Sequence, residues 1–124
     1  MSDTETTCII VCGGRNYADK NTVAETLWKL EARFKQQLHV RHGGATGADS
    51  LADYWARICK RRVEPVLAQW DKYGRGAGPR RNHRMLTMLP APVLVVAFPG
   101  GRGTADMVKQ AKAAGVEVME ISGD

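Results

Sequence analysis

Apolar residues in this chain come in short blocks separated by polar and glycine-rich stretches. Cys8–Ile9–Ile10–Val11–Cys12 is a continuous apolar run that stops at Gly13–Gly14. A run without alternation reads as a strand buried on both faces, as in a parallel sheet. Val23, Leu27, Leu30 and Phe34 follow at offsets 0, 4, 7 and 11, the apolar stripe of a helix. Leu38–His42 is a shorter strand in which Leu38 and Val40 alternate with His39 and Arg41. Leu51, Trp55 and Ile58 then mark a second helix, with Asp49 or Ser50 as its N-cap.

Val63–Leu67 reads as a third strand, and Pro65 predicts an edge position or an irregular end for it. Residues 68–79 read as a loop holding Trp70, Tyr73 and three glycines. A short helix from about Arg80 to Leu89 stops before Pro90 and Pro92. Val93–Phe98 is the clearest strand of the chain. Thr104 predicts the cap of a helix carrying Met107, Val108, Ala111 and Ala114, which Gly115 ends. Val116–Ile121 reads as the last strand.

The order βαβαβαβαβ predicts an α/β fold: a single Rossmann-like domain, about five mostly parallel strands with helices on both faces. No linker, repeat or second composition regime divides the 124 residues, and the core spans about 7–121. The composition, 44% apolar and 25% charged, is that of a soluble globular protein. No apolar run approaches the roughly 18 residues of a membrane span. Ser2, Asp3, Thr4 and Glu5 make a polar, acidic start unlike a secretory signal. Cys8 and Cys12 are too far apart along a strand to pair, no Cys/His spacing suits zinc, and three unpaired thiols fit a reducing, cytoplasmic setting. No metal site and no required cofactor can be read.

Net charge is +5, but it is local. Nine basic and two acidic residues lie between Arg57 and Arg84, a net +7 that leaves −2 for the rest. Such a distribution favours one anion site over a nucleic-acid-coated surface. Within the segment, Arg57, Lys60, Arg61 and Arg62 read as a solvated helix face.

Eleven of the 13 glycines fall in four clusters, three of them directly after predicted strands one, two and four. In a parallel sheet that is the ligand-binding edge. Glycine admits a phosphate close to the backbone, and a helix N-terminus offers it unpaired N–H groups. Gly100, Gly101, Arg102, Gly103 and Thr104 therefore form the foremost anion-binding candidate. Gly43 and Gly44 follow the second strand, with Asp49 as a ribose contact or a cap and His42 as a satisfied strand-end histidine. Gly13, Gly14 and Arg15 are further ligand contacts. Arg80, Arg81 and Asn82 place two guanidiniums at a helix start, where an anion offsets their repulsion from the dipole. The P-loop, dinucleotide and esterase signatures are absent.

Together, Gly13–Arg15, His42–Asp49, Trp70, Gly78–Asn82 and Phe98–Thr104 resemble the YspA-like branch of the SLOG superfamily, over about residues 8–120. The resemblance implies a Rossmann-like domain that binds a nucleotide or nucleotide-derived ligand. Self-association is plausible for that superfamily. It also includes LOG phosphoribohydrolases, which cleave the N-glycosidic bond of nucleoside monophosphates and carry PGGxGTxxE with an upstream ERKxxM helix. Arg81 and Met85 match that helix, and Asn82 replaces its lysine. Met107 stands at the glutamate position, with Asp106 one residue before it. An oxocarbenium-like transition state calls on a carboxylate that methionine lacks. The expected function is thus nucleotide-ligand binding. A nucleotide hydrolase, with Asp49, Asp106 and Arg81 as its catalytic candidates, is the alternative. The second alternative is a single-stranded nucleic-acid-binding module, since the DNA-processing DprA proteins share the superfamily; the −2 outside residues 57–84 disfavours it.

Overall fold

The first apolar run forms the central strand of a five-stranded sheet. The computed structural model describes residues 5–123, so the polar positions 2–4 lie outside the described residues. Strand β1 (Thr6–Cys12) lies between β2 (Gln37–His42) and β4 (Leu94–Ala97), with β3 (Arg62–Pro65) and β5 (Glu117–Glu120) at the edges. All four pairings are parallel. Pro65 ends the edge strand β3, where its missing N–H breaks no ladder.

The two faces of β1 explain why its run is continuous. Ile9 and Val11 pack with Val23, Leu27 and Leu30 of α1 (Lys20–Phe34) and with Ala52 and Trp55 of α2 (Ala48–Ile58). Ile10 and Cys12 face the other way, into a smaller core with Met85 of α4 (Ala77–Thr87) and Met107 and Ala111 of α5 (Arg102–Ala113). The strand order runs outward from β1 to β3, then returns to β4 on the opposite side. The crevice between the carboxyl ends of β1 and β4 is therefore the topological switch point.

Several local expectations are corrected. Residues 68–79 are not a loop: α3 (Trp70–Tyr73) makes one turn, a 3₁₀ turn spans Gly74–Gly76, and α4 begins at Ala77. Pro79 therefore lies within the first turn of α4, where its missing N–H costs nothing. Neither Asp49 nor Ser50 caps α2, because the helix starts at Ala48, after Gly47. Thr104 does not cap α5, which starts at Arg102, after Gly101. Ile58 is exposed, and alanines at 48, 52 and 56 fill the buried face of α2 instead.

The largest departure is in β2. Arg41 is 0% exposed, and every one of its guanidinium nitrogens is engaged. Nε donates to Glu64 at 2.9 Å, Nη1 to the carbonyls of Met85 and Met88, and Nη2 to that of Pro90. Those carbonyls lie at and just beyond the C-terminal end of α4, where oxygens lack intrahelical partners and a cation is favoured. His39 joins the cluster 3.1 Å from Glu64.

Candidate functional site

Three glycine loops meet at the switch point. The Gly14 N–H donates to the Pro99 carbonyl at 2.8 Å, and the Ala48 N–H donates to the Gly14 carbonyl at 3.2 Å. A Cβ on Gly13 would lie 2.6 Å from the Cβ of Ala48 and 2.9 Å from that of Phe98. At Gly47, with φ +78°, a Cβ would strike the backbone of Gly14 and Arg15. One on Gly100 would meet the Thr104 hydroxyl and, at 2.7 Å, the Gly14 amide. These glycines let loops touch. Gly101 and Gly103 differ, because a Cβ on either meets nothing within 4 Å and neither has a positive φ.

Between the loops lies a cleft of about 420 Å³. It brings together most of the residues singled out in the sequence. Gly13, Gly14 and Arg15 line it from the loop after β1, and Gly43 and Asp49 from the region after β2. Arg81 and Asn82 enter from α4; Gly101, Arg102, Gly103 and Thr104 form its wall at the start of α5.

Three of the expected ligand contacts lie outside that cleft. Arg80 stands over the Tyr73 ring, 4.3 Å from its centroid. Gly100 lies behind the wall, at the meeting of two loops. Gly44 lines an adjoining hollow instead. Asp106, a catalytic candidate, is also outside, accepting from Asn82 Nδ2 at 2.9 Å and Gln110 Nε2 at 2.7 Å. Met107 is fully buried in the core. His42 is satisfied structurally: Nδ1 accepts the Gly44 N–H at 2.9 Å, which leaves Nε2–H to donate to Asp53 at 2.7 Å.

The charged residues lining the cleft are three arginines, Arg15, Arg81 and Arg102, and one aspartate, Asp49. They come from four separate segments, and only Arg81 belongs to the +7 stretch, so that stretch is not itself the site. Three of its seven arginines are occupied elsewhere: Arg57 with Asp53, Arg61 with Glu31, Arg84 with the Leu67 carbonyl. Arg61 in particular is not the solvated residue expected, since it forms a two-pronged pair with Glu31 across the helices.

Among the described residues, Arg81 has no carboxylate partner within hydrogen-bonding distance. Nη1 donates to the carbonyls of Gly43 at 2.8 Å and Val66 at 3.4 Å, and Nε donates to the Asn82 side chain at 2.9 Å. Burial lowers its pKa, against an attraction from Asp49. A side chain at position 43 would take the place of the guanidinium, so glycine there leaves Arg81 its position.

Asp49 is 5% exposed. Its Oδ2 accepts the N–H groups of Gly43 at 3.0 Å and Ala45 at 3.2 Å, while Oδ1 is buried without a protein partner. Burial holds its pKa above the ordinary carboxylate range, opposed by those N–H groups and by His42 and Arg81. Cys12 also lines the cleft, but burial pushes its thiol up to about 12, which suppresses the thiolate a nucleophile needs.

The helix that forms the wall is open at its N-terminus: no side chain caps α5. Its first N–H groups therefore carry the partial positive charge of an uncapped helix. Among the described residues, no group of three or more His, Cys, Asp or Glu side chains could hold a metal ion. No helix among them is long and apolar enough to cross a membrane.

Trp70, Gly78, Ala45 and Met85 also line the cleft; the sequence placed them within family-like motifs but did not name them as ligand contacts. Trp70 carried a usable signal: a tryptophan in a polar, glycine-rich stretch that offers no apolar stripe to bury it. Met85 carried only its match to the LOG-type helix, because at helical spacing it otherwise reads as core, and it is almost fully buried as well.

Comparison with known proteins agrees with this architecture. The gene 61 protein of Mycobacterium phage D29 is 36% identical over 120 residues, covering 91% of this chain and 94% of the phage protein. The crystal structure of TM1055, a structural-genomics target, superposes with a TM-score of 0.68 at 20% identity, over 91% of this chain and 72% of that one. That likeness is one of fold. A family model described as YspA, cpYpsA-related SLOG matches residues 7–73, from β1 through α3, and so includes the glycine loops after β1 and β2. On the strength of that match and the phage relative, the chain belongs to the YspA, cpYpsA-related SLOG family.

Proposed function

We propose that the protein binds a nucleotide or nucleotide-derived small molecule in the cleft at the switch point, with its phosphate against the start of α5. The observation that carries this reading is Arg81, a half-buried guanidinium lining the cleft whose hydrogen bonds, among the described residues, go to neutral oxygens. Desolvating a cation without a bonded carboxylate is costly, and an anionic ligand offsets that cost. The uncapped α5 N-terminus, the open backbone at Gly101 and Gly103, and the two further arginines support a phosphate. Asp49 Oδ1, buried and unpartnered, suits a sugar hydroxyl as donor.

Binding without N-glycosidic cleavage is the form of the activity that fits these side chains. Among the described residues the one carboxyl lining the cleft is Asp49, which its burial biases towards the neutral state, and Met107 occupies the core. Calorimetric titration with a nucleoside monophosphate panel at low salt tests the proposal, with product analysis by mass spectrometry on the same samples. Saturable 1:1 binding of unchanged nucleotide is expected. No binding by any member of the panel overturns it, and released base or phosphate would convert the protein to an enzyme. Salt-dependent binding of single-stranded DNA that mononucleotide does not displace would instead favour a nucleic-acid module.

A further inference from the structure

The cleft does not end at Arg81. A second hollow of about 360 Å³ shares Arg15, Gly43, Ala45, Trp70 and Arg81 with it and adds Leu67 and the Gly44 backbone. Two large apolar side chains flank this hollow in the open: Leu67, 63% exposed, and Trp70, 52% exposed. Neither is there by looseness of the chain. The Leu67 carbonyl accepts from Arg84 at 3.0 Å, and its neighbour Val66 donates to the His42 carbonyl at 2.7 Å. The Leu67 side chain reaches the space that a side chain on Gly44 would fill. The Trp70 carbonyl accepts the Gly74 N–H, and its indole lies against the α4 backbone at Gly78, where a Cβ would come within 3.4 Å of it.

The polar groups around the hollow are for the most part already spent inside the protein. The N–H groups of Gly43 and Ala45 go to Asp49, and that of Gly44 goes to His42. The carbonyls of Gly43 and Val66 accept from Arg81, and that of Ala45 from Ser50. The Thr46 hydroxyl donates to the Arg15 carbonyl. A ring entering this hollow meets apolar surface and guanidinium but few free hydrogen-bonding edges.

We infer that this hollow is the subsite for the aromatic base of the ligand, held by stacking on Trp70 beside Leu67, so that the protein selects by ring area and not by the pattern of base edges. The inference rests on the phosphate reading above, because continuity with the three-arginine cleft is what makes the ring part of a phosphorylated molecule. Purine nucleotides are then preferred to pyrimidine nucleotides, and adenine and guanine are treated nearly alike. Stacking on an aromatic side chain is sequence-tolerant in this way because every base offers a π-face.

The test titrates wild type, Trp70→Ala, Trp70→Phe and Leu67→Ala with AMP, GMP, CMP and ribose 5-phosphate, after circular dichroism confirms that each variant is folded. For wild type, AMP and GMP should agree within about 3-fold, and both should exceed CMP and ribose 5-phosphate. Trp70→Ala should cost AMP about 5- to 150-fold and leave ribose 5-phosphate unchanged, and Trp70→Phe should restore most of the loss. Leu67→Ala should weaken AMP without affecting ribose 5-phosphate, which keeps the subsite testable if Trp70→Ala fails to fold. Equal affinity of wild type for AMP and ribose 5-phosphate overturns the base subsite and leaves the phosphate site standing. A difference of more than about 100-fold between AMP and GMP overturns selection by area, since it requires edge readout. Absence of binding by both AMP and ribose 5-phosphate overturns the two readings together.

Discussion

Replacing Arg81 by methionine separates a ligand-binding arginine from a structural one. The substitution keeps the length of the side chain's apolar stem and removes the guanidinium. On the folding side it loses the bond to the Gly43 carbonyl at 2.8 Å, a longer one to Val66 at 3.4 Å, and the contact with Asn82 at 2.9 Å. Leaving one buried carbonyl unsatisfied costs about 1–3 kcal/mol. Against this stand the desolvation that lowers the Arg81 pKa and the repulsion from Arg84 and Arg15, both relieved by the change. The opposing contributions are of similar size, so the expected net change in stability is within about 1 kcal/mol of zero.

On the binding side nothing compensates. A hydrogen bond between ionised partners contributes about 1.5–3 kcal/mol, so a lost phosphate contact weakens affinity by about 10- to 150-fold. Arg81→Lys should recover only part of this, because a point charge cannot reproduce the planar fork. Calorimetry with AMP, paired with urea unfolding of the free protein, reads both quantities on one preparation. An affinity within about 2-fold of wild type would refute the phosphate role. A stability loss above about 3 kcal/mol would show that the guanidinium is structural, as buried partners of broken networks are.

Three further outcomes follow from the same geometry. Arg41→Ala should destabilise the fold by about 3–5 kcal/mol in urea unfolding, because it strands Glu64 and three carbonyls; a loss under about 1 kcal/mol would refute the clamp. Gly100→Ala should lower the melting temperature clearly while Gly101→Ala leaves it nearly unchanged, and Gly101→Val should abolish nucleotide binding in a cooperatively folding protein; equal thermal shifts for the two alanines, or unchanged affinity in Gly101→Val, would refute the assignment of one glycine to packing and the other to ligand approach. Asp49 holds its proton more tightly folded than unfolded, so above the ordinary carboxylate range wild type should lose stability as pH rises, and Asp49→Asn should remove that loss; a wild-type-minus-variant stability difference that is flat between about pH 4 and 8, or that grows with pH, would refute the raised pKa.

The parts of the molecule that periodicity controls were legible in the chain. Ile9 and Ile10 are adjacent and both apolar, which only a strand covered on two faces requires, and they do enter different cores. The glycine positions pointed to the edge of the sheet where the loops meet and the cleft lies, because glycine is demanded by close approach, as at Gly13 and Gly47. The chain could not say which glycines serve packing and which leave space, since Gly100 and Gly101 are identical neighbours whose surroundings are set by Gly14 and Thr104. Nor was the start of α4 legible. Pro79 and three glycines are turn signals, and tertiary packing of Ala77 and Gly78 overrode them.

Arg41 and Arg81 show where charge counting gives way to partner counting. Both are arginines drawn towards the region between β2 and α4, and composition weighs them equally. Arg41 gives every guanidinium nitrogen to the protein, one of them to the carboxylate of Glu64, so its charge is neutralised where it lies. Arg81 bonds only to neutral oxygens, and the nearest balancing charge is an aspartate that burial biases towards protonation. A fold does not gain stability from holding a half-buried cation in that state. Its retention beside an uncapped helix and open glycine backbone is most simply explained by an anion that arrives from outside.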